Sequence, residues 1–289
     1  MFERLSPYLW VAPAVLLYGT FTIVPLVAGI YLAFLRWDGI EPAEFIGLDN
    51  FRRMMRDPKL LGALAKNLQY AIGTVTGKIV ISLVLALLLN GAMWGRAFYR
   101  TALFMPVVMS FVVVGILWTR IFNYDFGLLN TMLTAVGLEA STRDWIGNTS
   151  TALWSLIGVD IWKWYGFHMV IFLAGLQTIP AELYEAARID GASSFQRLRT
   201  ITLPLLRPVM LVNVFISMVG ALNVFDIPFI MTQGGPSDST NVIALHMYTQ
   251  AFSFYRFGYG AALSYVLFAL VSVVAVILIA VMSRNRTEY

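Results

Sequence analysis

The chain has 289 residues, of which 59% are hydrophobic and only 12% are charged, and its formal net charge is +4. A water-soluble domain of this length needs a more polar surface, so an ordinary cytosolic enzyme, a disordered tail and a nucleic-acid-binding module are excluded. With no cysteine and only two histidines, His168 and His246, the chain has no disulfide framework, thiolate metal site or multi-histidine metal site. The composition predicts a multi-span membrane protein.

Six long stretches of the chain contain at most two charged residues each. A helix needs about 20 apolar residues to cross the hydrocarbon core, whereas barrel strands would alternate over about ten residues, so these stretches predict helices. We predict an all-α integral membrane fold in which residues 1–289 form a single transmembrane domain. The six predicted transmembrane helices lie at about residues 8–35, 69–91, 101–120, 151–176, 207–231 and 260–282.

The first span predicts a retained anchor rather than a cleaved signal peptide. It is long, it contains Pro13 and Pro25, and no small-residue cleavage site follows it. Membrane lipid is therefore an expected partner of the whole chain, whereas nucleic acid is not.

Six spans place both termini on the same side of the membrane, and the basic residues indicate which side. If the termini are cytoplasmic, the raw counts of Lys and Arg inside and outside are equal, but the outer loops are much longer. The short loop 91–100 carries Arg96 and Arg100, which favours the cytoplasm for that loop. We predict that both termini, which include Arg4 and Arg286, are cytoplasmic.

The first outer loop, residues 36–68, is long enough to fold locally. Asp49 can cap a short helix with apolar residues on one face, and Pro58 would stop it. The apolar residues are Phe51, Met54 and Met55. The helix either lies on the membrane surface or forms part of a docking surface for an external partner.

The last outer loop opens with Gln233-Gly234-Gly235-Pro236, which is a strong turn signal. The loop is either a simple turn or a segment that reaches toward a ligand.

The cytoplasmic segment 177–206 differs from a simple connection between spans. Pro180 suits the first turn of a helix, and Gly191 suits the position past a helix end, where a positive φ is needed. Ser193 with Gln196 forms a capping box for a second helix.

Two prolines follow this second helix. A proline lacks a backbone N–H and disrupts a helix interior, so Pro204 and Pro208 are expected to limit the second helix and to begin the fifth span. The sequence thus predicts two short helices joined by a glycine corner.

This helical corner combines small and charged side chains. Ala186, Ala187 and Ala192 let the backbone of another protein approach closely, and Glu185 and Arg188 can pair with each other or with charges on a partner. The segment is either a lever that transmits the motion of a partner into the fifth span or an ordinary helical hairpin.

The same segment resembles the EAA loop that marks membrane subunits of binding-protein-dependent ABC importers. The resemblance rests on Glu185-Ala186-Ala187-Arg188-Ile189-Asp190-Gly191-Ala192, followed by Phe195, Ile201, Leu203-Pro204 and Pro208. Two further segments look like the sugar-type branch of that family: Phe45-Ile46-Gly47-Leu48-Asp49-Asn50-Phe51, and Phe225-Asp226 with Met231-Thr232-Gln233-Gly234-Gly235-Pro236. Within the branch the chain is more similar to MalF/UgpA-type subunits than to MalG-type subunits, although it lacks the extra amino-terminal spans and large outer domain of the larger maltose subunit.

The resemblance implies a type I ABC importer permease fold in the cytoplasmic membrane of a prokaryote. The implied partners are a second permease subunit in a heterodimer, two ATP-binding subunits and an extracytoplasmic solute-binding protein that delivers a carbohydrate. ATP and Mg are bound by the ATPase subunits, so this chain would carry no cofactor and no catalytic residue. The residues implied to couple to the ATPase are Glu185, Ala186, Ala187, Asp190, Gly191, Ala192, Leu203 and Pro204, and those implied to contact the external binding protein are Gly234, Gly235 and Pro236.

The sequence itself contains no phosphate-binding loop. The nearest match runs from Gly73 through Gly77-Lys78 to Ile79, with three rather than four residues between the glycines and no Ser or Thr after the lysine. Gly73 and Gly77 are better explained by close helix packing within a span.

Charges within the spans mark candidate residues of the solute path because they are costly in the bilayer. Asp160 and Lys163 either neutralise each other, or Asp160 lines the path with Trp164 and Tyr165, which supply the carboxylate and aromatic faces that bind sugars. The aromatic residues could equally form an interfacial belt.

Other polar residues within the spans have alternative roles. Asn223 and Asp226 either contact the solute or bond to the partner subunit, and Lys78 either snorkels or serves as a counter-ion to Asp160 or Asp226. His168 is expected to be a packed polar residue.

Two other functions compete with sugar import. An importer permease could carry a non-sugar solute such as an amino acid or phosphate. An intramembrane enzyme would need a paired nucleophile and base, or a metal cluster, and the ionisable residues within the spans are too scattered for either.

Overall fold

The computed structural model describes residues 2–91 and 93–284, with side chains from residue 10 to residue 283. The α-helices in chain order are α1 (Phe2–Tyr18), α2 (Val24–Leu32), α3 (Asp49–Met54), α4 (Pro58–Asn90), α5 (Arg96–Val108), α6 (Phe111–Ile121), α7 (Leu128–Ala135), α8 (Ala152–Gln177), α9 (Ala181–Ile189), α10 (Ser194–Arg197), α11 (Leu203–Leu222), α12 (Asp226–Met231), α13 (Ile243–Tyr248) and α14 (Phe257–Arg284). Turns of π-helix cover Gly19–Ile23, Leu198–Thr202 and Thr249–Ser253, and a 3₁₀ turn covers Glu139–Ser141. Strands β1 (Leu35–Arg36) and β2 (Glu44–Phe45) form an antiparallel hairpin.

Five helices of the described chain are long and apolar enough to cross a membrane, and one broken helix pair supplies a sixth span. The five are Trp10–Leu32, Pro58–Asn90, Ala152–Gln177, Ser194–Leu222 and Phe257–Ser283. The predicted all-α membrane fold with six spans is therefore confirmed. Arg286, which was assigned to the cytoplasmic carboxyl terminus, lies outside the described residues.

The third predicted span, 101–120, is not one helix. It consists of α5 and α6, which are bent by 98°. Pro106 lies in the last turn of α5, Met109 is extended with ψ of 142°, and the Ser110 side chain caps α6 by accepting from the Val113 N–H. The uniform hydrophobicity of this stretch concealed the break because both halves are apolar.

The fifth predicted span, 207–231, has other boundaries in the structure. Its helix begins at Ser194, runs through the π-turn and ends at Leu222, and α12 follows as a separate helix. The expectation that Pro204 and Pro208 limit the preceding helix is wrong. Leu203 N–H bonds to the Leu198 carbonyl, and this wider π-turn relieves the clash that the Pro204 ring would cause in a regular α-helix.

The second span begins earlier than the predicted residue 69. Pro58 does not merely stop the preceding helix, because it is the first residue of the 33-residue helix α4. The Asp57 carboxylate accepts from the Lys59 N–H at 2.9 Å and so caps this start.

The chain divides into two compact units, Met1–Leu60 with His246–Ala269 and Leu61–Leu245 with Leu270–Tyr289. The second unit is built around two buried apolar clusters. One is centred on Leu156 and Val159 of α8, and the other on Phe172 of α8 and Leu206 of α11. The single transmembrane domain expected from the sequence stays a prediction.

The first unit has a small core completed by buried polar residues. Ala33, Met54 and Leu263 are among its buried apolar side chains. Asn50 is buried and donates to the carbonyls of Ala33 and Leu35, both at 2.9 Å, which joins α3 to the segment that leads into the hairpin.

Asp57 connects three segments of the first unit. It accepts from the Tyr259 hydroxyl at 2.7 Å and lies 3.2 Å from His246 Nε2. Burial alone would raise the pKa of Asp57, but the hydrogen bonds from Tyr259, from the Lys59 N–H and from His246 together lower it below 3.8.

Asp57→Asn should destabilise the chain by about 1–3 kcal/mol at neutral pH, because it removes charge-assisted hydrogen bonds. A carboxylate with a lowered folded pKa stabilises the fold above pH 3.8, and this contribution is lost as the pH falls through the folded pKa. The difference between variant and wild type should therefore shrink in acid. Thermal unfolding of the full chain in detergent at pH 7 and below pH 4 measures this.

The matched control for Asp57→Asn is Glu44→Gln. This change removes the exposed ion pair between Arg36 and Glu44, which is worth about 0–1 kcal/mol. Equal effects of the two variants at neutral pH would contradict the role assigned to Asp57.

Candidate functional site

The glycine corner of segment 177–206 is a complete helix-termination motif. The Gly191 N–H bonds to the Arg188 carbonyl at 3.1 Å, and the Ala192 N–H bonds to the Ala187 carbonyl at 2.8 Å. Gly191 has φ of +76°, which explains why glycine stands there. The first predicted helix and the glycine corner are therefore confirmed, whereas the second helix is not short, because it continues into the fifth span.

The second helix of the corner begins with the predicted capping box. The Ser193 N–H donates to Gln196 Oε1 at 2.7 Å, and the Gln196 N–H donates to Ser193 Oγ at 3.3 Å. The backbone groups at both ends of the corner thus have hydrogen-bond partners within the corner itself. Its backbone is therefore fixed without contacts to other segments.

The corner presents an apolar surface that the sequence analysis did not single out. Ile189 is 86% exposed and Phe195 is 70% exposed. Glu185 and Arg188 are also exposed, and within the described chain neither makes an ion pair. An exposed apolar pair beside available charges is typical of a protein-docking surface.

A second connection joins α9 to the fifth span. The Tyr184 hydroxyl lies 2.9 Å from Thr202 Oγ1, and Thr202 is buried within the π-turn. Leu203 and Pro204 follow directly in the same continuous helix. A displacement of α9 would therefore reach the fifth span through both the backbone and this side-chain contact.

Lys78 and Asp160 form a buried ion pair within the membrane-spanning part of the chain. Lys78 Nζ lies 2.5 Å from Asp160 Oδ2, and the two residues are 4% and 5% exposed. The suggestion that Lys78 is a counter-ion to Asp160 is confirmed. The suggested pairing of Asp160 with Lys163 is wrong.

Lys163 instead caps the broken helix. Its Nζ donates to the carbonyls of Met109, Val107 and Pro106 at 2.7, 3.2 and 3.4 Å. The end of α5 has carbonyls without helical partners, and its partial negative charge favours a cation. Asp160 and Lys163 lie three residues apart, but each finds a stronger partner on another helix.

Buried polar residues form a row along one face of α4. Asn67, Tyr70, Thr74, Lys78 and Ser82 are spaced three or four residues apart, and all are buried. This spacing could have been recognised in the sequence as a polar stripe, but the surrounding hydrophobicity concealed it.

His168 is a packed polar residue, as predicted. Its Nδ1 lies 2.8 Å from Asn213 Oδ1 on α11, and both residues are buried.

The aromatic residues near Asp160 are half-buried. Trp164 lies beside Phe111 and Phe167, with ring centroids 6.2 and 5.9 Å away, and is half-buried. Tyr165 is also half-buried, and its carbonyl accepts from Ser82 Oγ at 2.7 Å. The roles of Asp160, Trp164 and Tyr165 in a solute path stay predictions, and the burial of Asp160 favours a structural role.

Asn223 and Asp226 flank the break between α11 and α12, and both are exposed. The Asn223 side chain donates to the Val219 carbonyl at 2.9 Å. Phe225 and Phe229 stack beside them with ring centroids 4.9 Å apart. The break thus places a carboxylate, an amide and aromatic rings together.

The loop that begins at Gln233 is compact. Thr240 Oγ1 contacts Thr232 Oγ1 at 2.7 Å and donates to the Gly235 carbonyl at 2.9 Å. Gly234 is buried with φ of +87°, which gives a conformational reason for this glycine, whereas Pro236 is partly exposed. The binding-protein contact predicted for Gly234, Gly235 and Pro236 is untested.

A cleft of about 540 Å³ lies next to this loop. Its lining includes Gly235, Pro236, Thr232, Asp125 and Asp144. The two carboxylates come from two other connections, one before α7 and one before α8, and only the fold brings them close to this loop.

Comparison with known proteins identifies related chains along almost the whole length. The family model described as "Binding-protein-dependent transport system inner membrane component" matches residues 78–288. The probable ABC transporter permease protein YurN of Bacillus subtilis is 36% identical, over 91% of this chain and 90% of that protein. The trehalose/maltose transport system permease protein MalF of Thermococcus litoralis is 34% identical, over 91% of this chain and 89% of that protein.

A solved structure shares the fold. A chain in the crystal structure of a bacterial alginate ABC transporter, in complex with a periplasmic protein that holds an alginate pentasaccharide, matches with a TM-score of 0.83 and 21% identity. The match covers 99% of this chain and 97% of that chain.

Removing either member of the buried ion pair should be costly. Lys78→Met or Asp160→Asn leaves an uncompensated buried group, and each should destabilise the chain by about 3–5 kcal/mol. The double variant should cost less than the sum of the two. Thermal unfolding in detergent measures this cycle.

Asp226→Asn, which changes an exposed carboxylate, is the control for the cycle. If Asp160→Asn left the unfolding temperature unchanged and altered only transport, Asp160 would act in the solute path, and the structural role favoured by its burial would be wrong.

Proposed function

This chain belongs to the family of binding-protein-dependent transport system inner membrane components, and we propose that it forms half of the translocation path for a carbohydrate delivered by an external solute-binding protein. The family identifies the chain as a membrane-spanning permease subunit of an ABC importer. It is therefore a transport component and not an enzyme, which removes the alternative of an intramembrane protease or lipid transferase.

The break between α11 and α12 is the observation that carries the proposed path. Asn223 and Asp226 are exposed there beside the stacked rings of Phe225 and Phe229. Sugars are bound by carboxylate and amide hydrogen bonds together with aromatic faces, so this inventory suits a carbohydrate.

The names of related proteins support the carbohydrate class. One relative is a trehalose/maltose permease, and a chain of the same fold belongs to an alginate transporter. An amino acid or phosphate remains the alternative solute, although no feature of the break specifically favours either.

The corner around Gly191 is the proposed connection to the ATPase subunits. An ATPase subunit would grip α9, with Ile189 and Phe195 as its apolar anchors and Glu185 and Arg188 as charged contacts. ATP and Mg would be held by that subunit, and ATP-driven closure of the ATPase pair would shift α9 and the fifth span together. This chain contributes rigidity through the corner and the contact between Tyr184 and Thr202.

The proposed assembly contains four further components. They are a second permease subunit in a heterodimer, two ATP-binding subunits and a solute-binding protein that contacts the loop around Pro236. We place the complex in the cytoplasmic membrane of a prokaryote with both termini of this chain in the cytoplasm, since Arg96 and Arg100 at the start of α5 favour that side for the short connection between α4 and α5.

Gly191→Val should uncouple ATP hydrolysis from uptake. A β-branched residue is strained at φ of +76°, and the strain would distort the corner while leaving the spans inserted. We expect at least about a tenfold loss of uptake per ATP hydrolysed, because the barrier between states depends on the docking of α9. Uptake and ATPase activity in proteoliposomes with the partner subunits measure this ratio.

Gly137→Val is the matched control, because Gly137 has φ of +78° and, like Gly191, has open space around it. It carries the same backbone strain at a site outside the corner. The proposed role of the corner as a lever would be contradicted if Gly191→Val kept the normal uptake per ATP hydrolysed, or if both variants lost it equally.

Asp226→Asn and Asn223→Ala should reduce uptake of the solute while assembly with the ATPase stays intact, because both residues lie at the proposed path and not at the corner. Uptake of a labelled disaccharide, an amino acid and phosphate, each with its cognate binding protein, tests the solute class. Glu139→Gln, another exposed carboxylate, is the control. Transport of the amino acid or phosphate but not the sugar would overturn the carbohydrate assignment.

A further inference from the structure

Two arginines at the start of α5 share one neutral acceptor. With the Gln177 side-chain oxygen facing them, Arg100 Nη2 donates to it at 3.0 Å and Arg96 Nη2 at 3.3 Å. The Nε groups of both arginines are buried and make no hydrogen bond. Among the described residues, no carboxylate pairs with either guanidinium. Two like charges one helical turn apart, with unused donors, favour the binding of an anion.

The backbone at this position also favours an anion. The pair occupies the first turns of the 13-residue helix α5. The N-cap residue is Gly95, with φ of 74°, and it has no side chain that could accept from the first backbone N–H groups. The exposed start of a helix carries partial positive charge, which adds to the charge of the two guanidinium groups.

Neighbouring aromatic residues indicate that the pair lies at the membrane edge. Trp94 is 94% exposed and Phe98 is 71% exposed, and the Phe98 ring lies 5.8 Å from that of Tyr99. Tryptophan and tyrosine are enriched where a bilayer meets water. The bent pair of α5 and α6 is long and apolar enough to form one span, and the arginines lie at its amino-terminal end, where a span meets the lipid headgroups.

We propose that Arg96 and Arg100 bind the phosphate of an anionic phospholipid, with Trp94 and Phe98 beside its glycerol and upper acyl chains. Both side chains are partly exposed, so the phosphate would neutralise the paired charges from the accessible side of the two guanidinium groups. This inference does not depend on the solute or on the ATPase.

The bound lipid would also anchor the end of α8. Gln177 is the last residue of that helix, and α9 begins four residues later. The arginine pair, once neutralised, would hold Gln177 against α5 and so fix the point from which α9 extends. The site would thus make the geometry of the corner sensitive to the lipids around it.

The full chain, purified in detergent, can be tested by native mass spectrometry. Equal amounts of phosphatidylglycerol and phosphatidylcholine with identical acyl chains are offered, and the retained lipid is counted. We expect about a tenfold preference for phosphatidylglycerol in the wild type, because each of the two arginines attracts the net negative charge of its headgroup, whereas phosphatidylcholine has no net charge.

Four variants distinguish binding at this site from a general effect of charge. The double variant R96Q/R100Q should lose the preference, whereas R96K/R100K should keep part of it. Gln177→Glu should also lose the preference, since the new carboxylate would neutralise the arginines from within the chain. R52Q/R56Q removes two exposed arginines with the same spacing elsewhere and should leave the preference unchanged.

Four outcomes would overturn the proposal. These are no preference in the wild type, an unchanged preference in R96Q/R100Q, an equal loss in R52Q/R56Q, and displacement of the lipid by millimolar inorganic phosphate. The last would show a site for free phosphate instead. The wild-type competition requires no variant to fold, and because it uses this chain alone, its failure is separate from any failure of the transport assignment.

Discussion

Backbone polar groups and charged side chains inside a bilayer are costly unless they have partners within the protein, and this requirement shapes the membrane-spanning part of the chain. Lys78 and Asp160 can be buried because they neutralise each other. Lys163 can be buried because it is surrounded by the carbonyl groups at the end of α5. The break in the third span and the buried lysine therefore explain each other, since each would be costly alone.

Asn67 of α4 meets the same requirement. Asn67 donates to the Leu222 carbonyl at 3.3 Å and accepts from the Ile243 N–H at 3.2 Å. Its side chain is therefore the hydrogen-bond partner of the last carbonyl of α11 and of the first N–H of α13. These two groups lie on either side of the segment that holds Asp226 and Pro236. The buried side of α4 is thus a scaffold fixed by hydrogen bonds, whereas Asn223 and Asp226 at the break are exposed.

The corner around Gly191 obeys a different rule because it must be rigid without being buried. Its stability comes from local hydrogen bonds: a helix-termination motif, a capping box and the contact between Tyr184 and Thr202. Local bonds of this kind survive exposure, so apolar side chains such as Ile189 remain available to a partner. A handle on a permease subunit needs this combination of a stiff backbone and an uncovered surface.

The sequence predicted these local features well. Gly191, Ser193 and Gln196 specify their geometry within a few residues, and their motif also identified the family, which the comparisons then confirmed. The helix boundaries predicted from the prolines were wrong, because the effect of a proline depends on the helix geometry around it. Pro204 lies within a continuous helix that a π-turn makes possible, whereas Pro106 lies at a true break.

The sequence by itself determined the class of the protein, the number of its spans and the shape of its corner. These follow from hydrophobicity and from contacts between residues near each other in the chain. Only the tertiary structure decided that Asp160 pairs with Lys78 and not with Lys163, and that Arg96, Arg100 and Gln177 meet. These pairings join residues far apart in sequence, and their energies depend on distances that no pattern along a single helix contains.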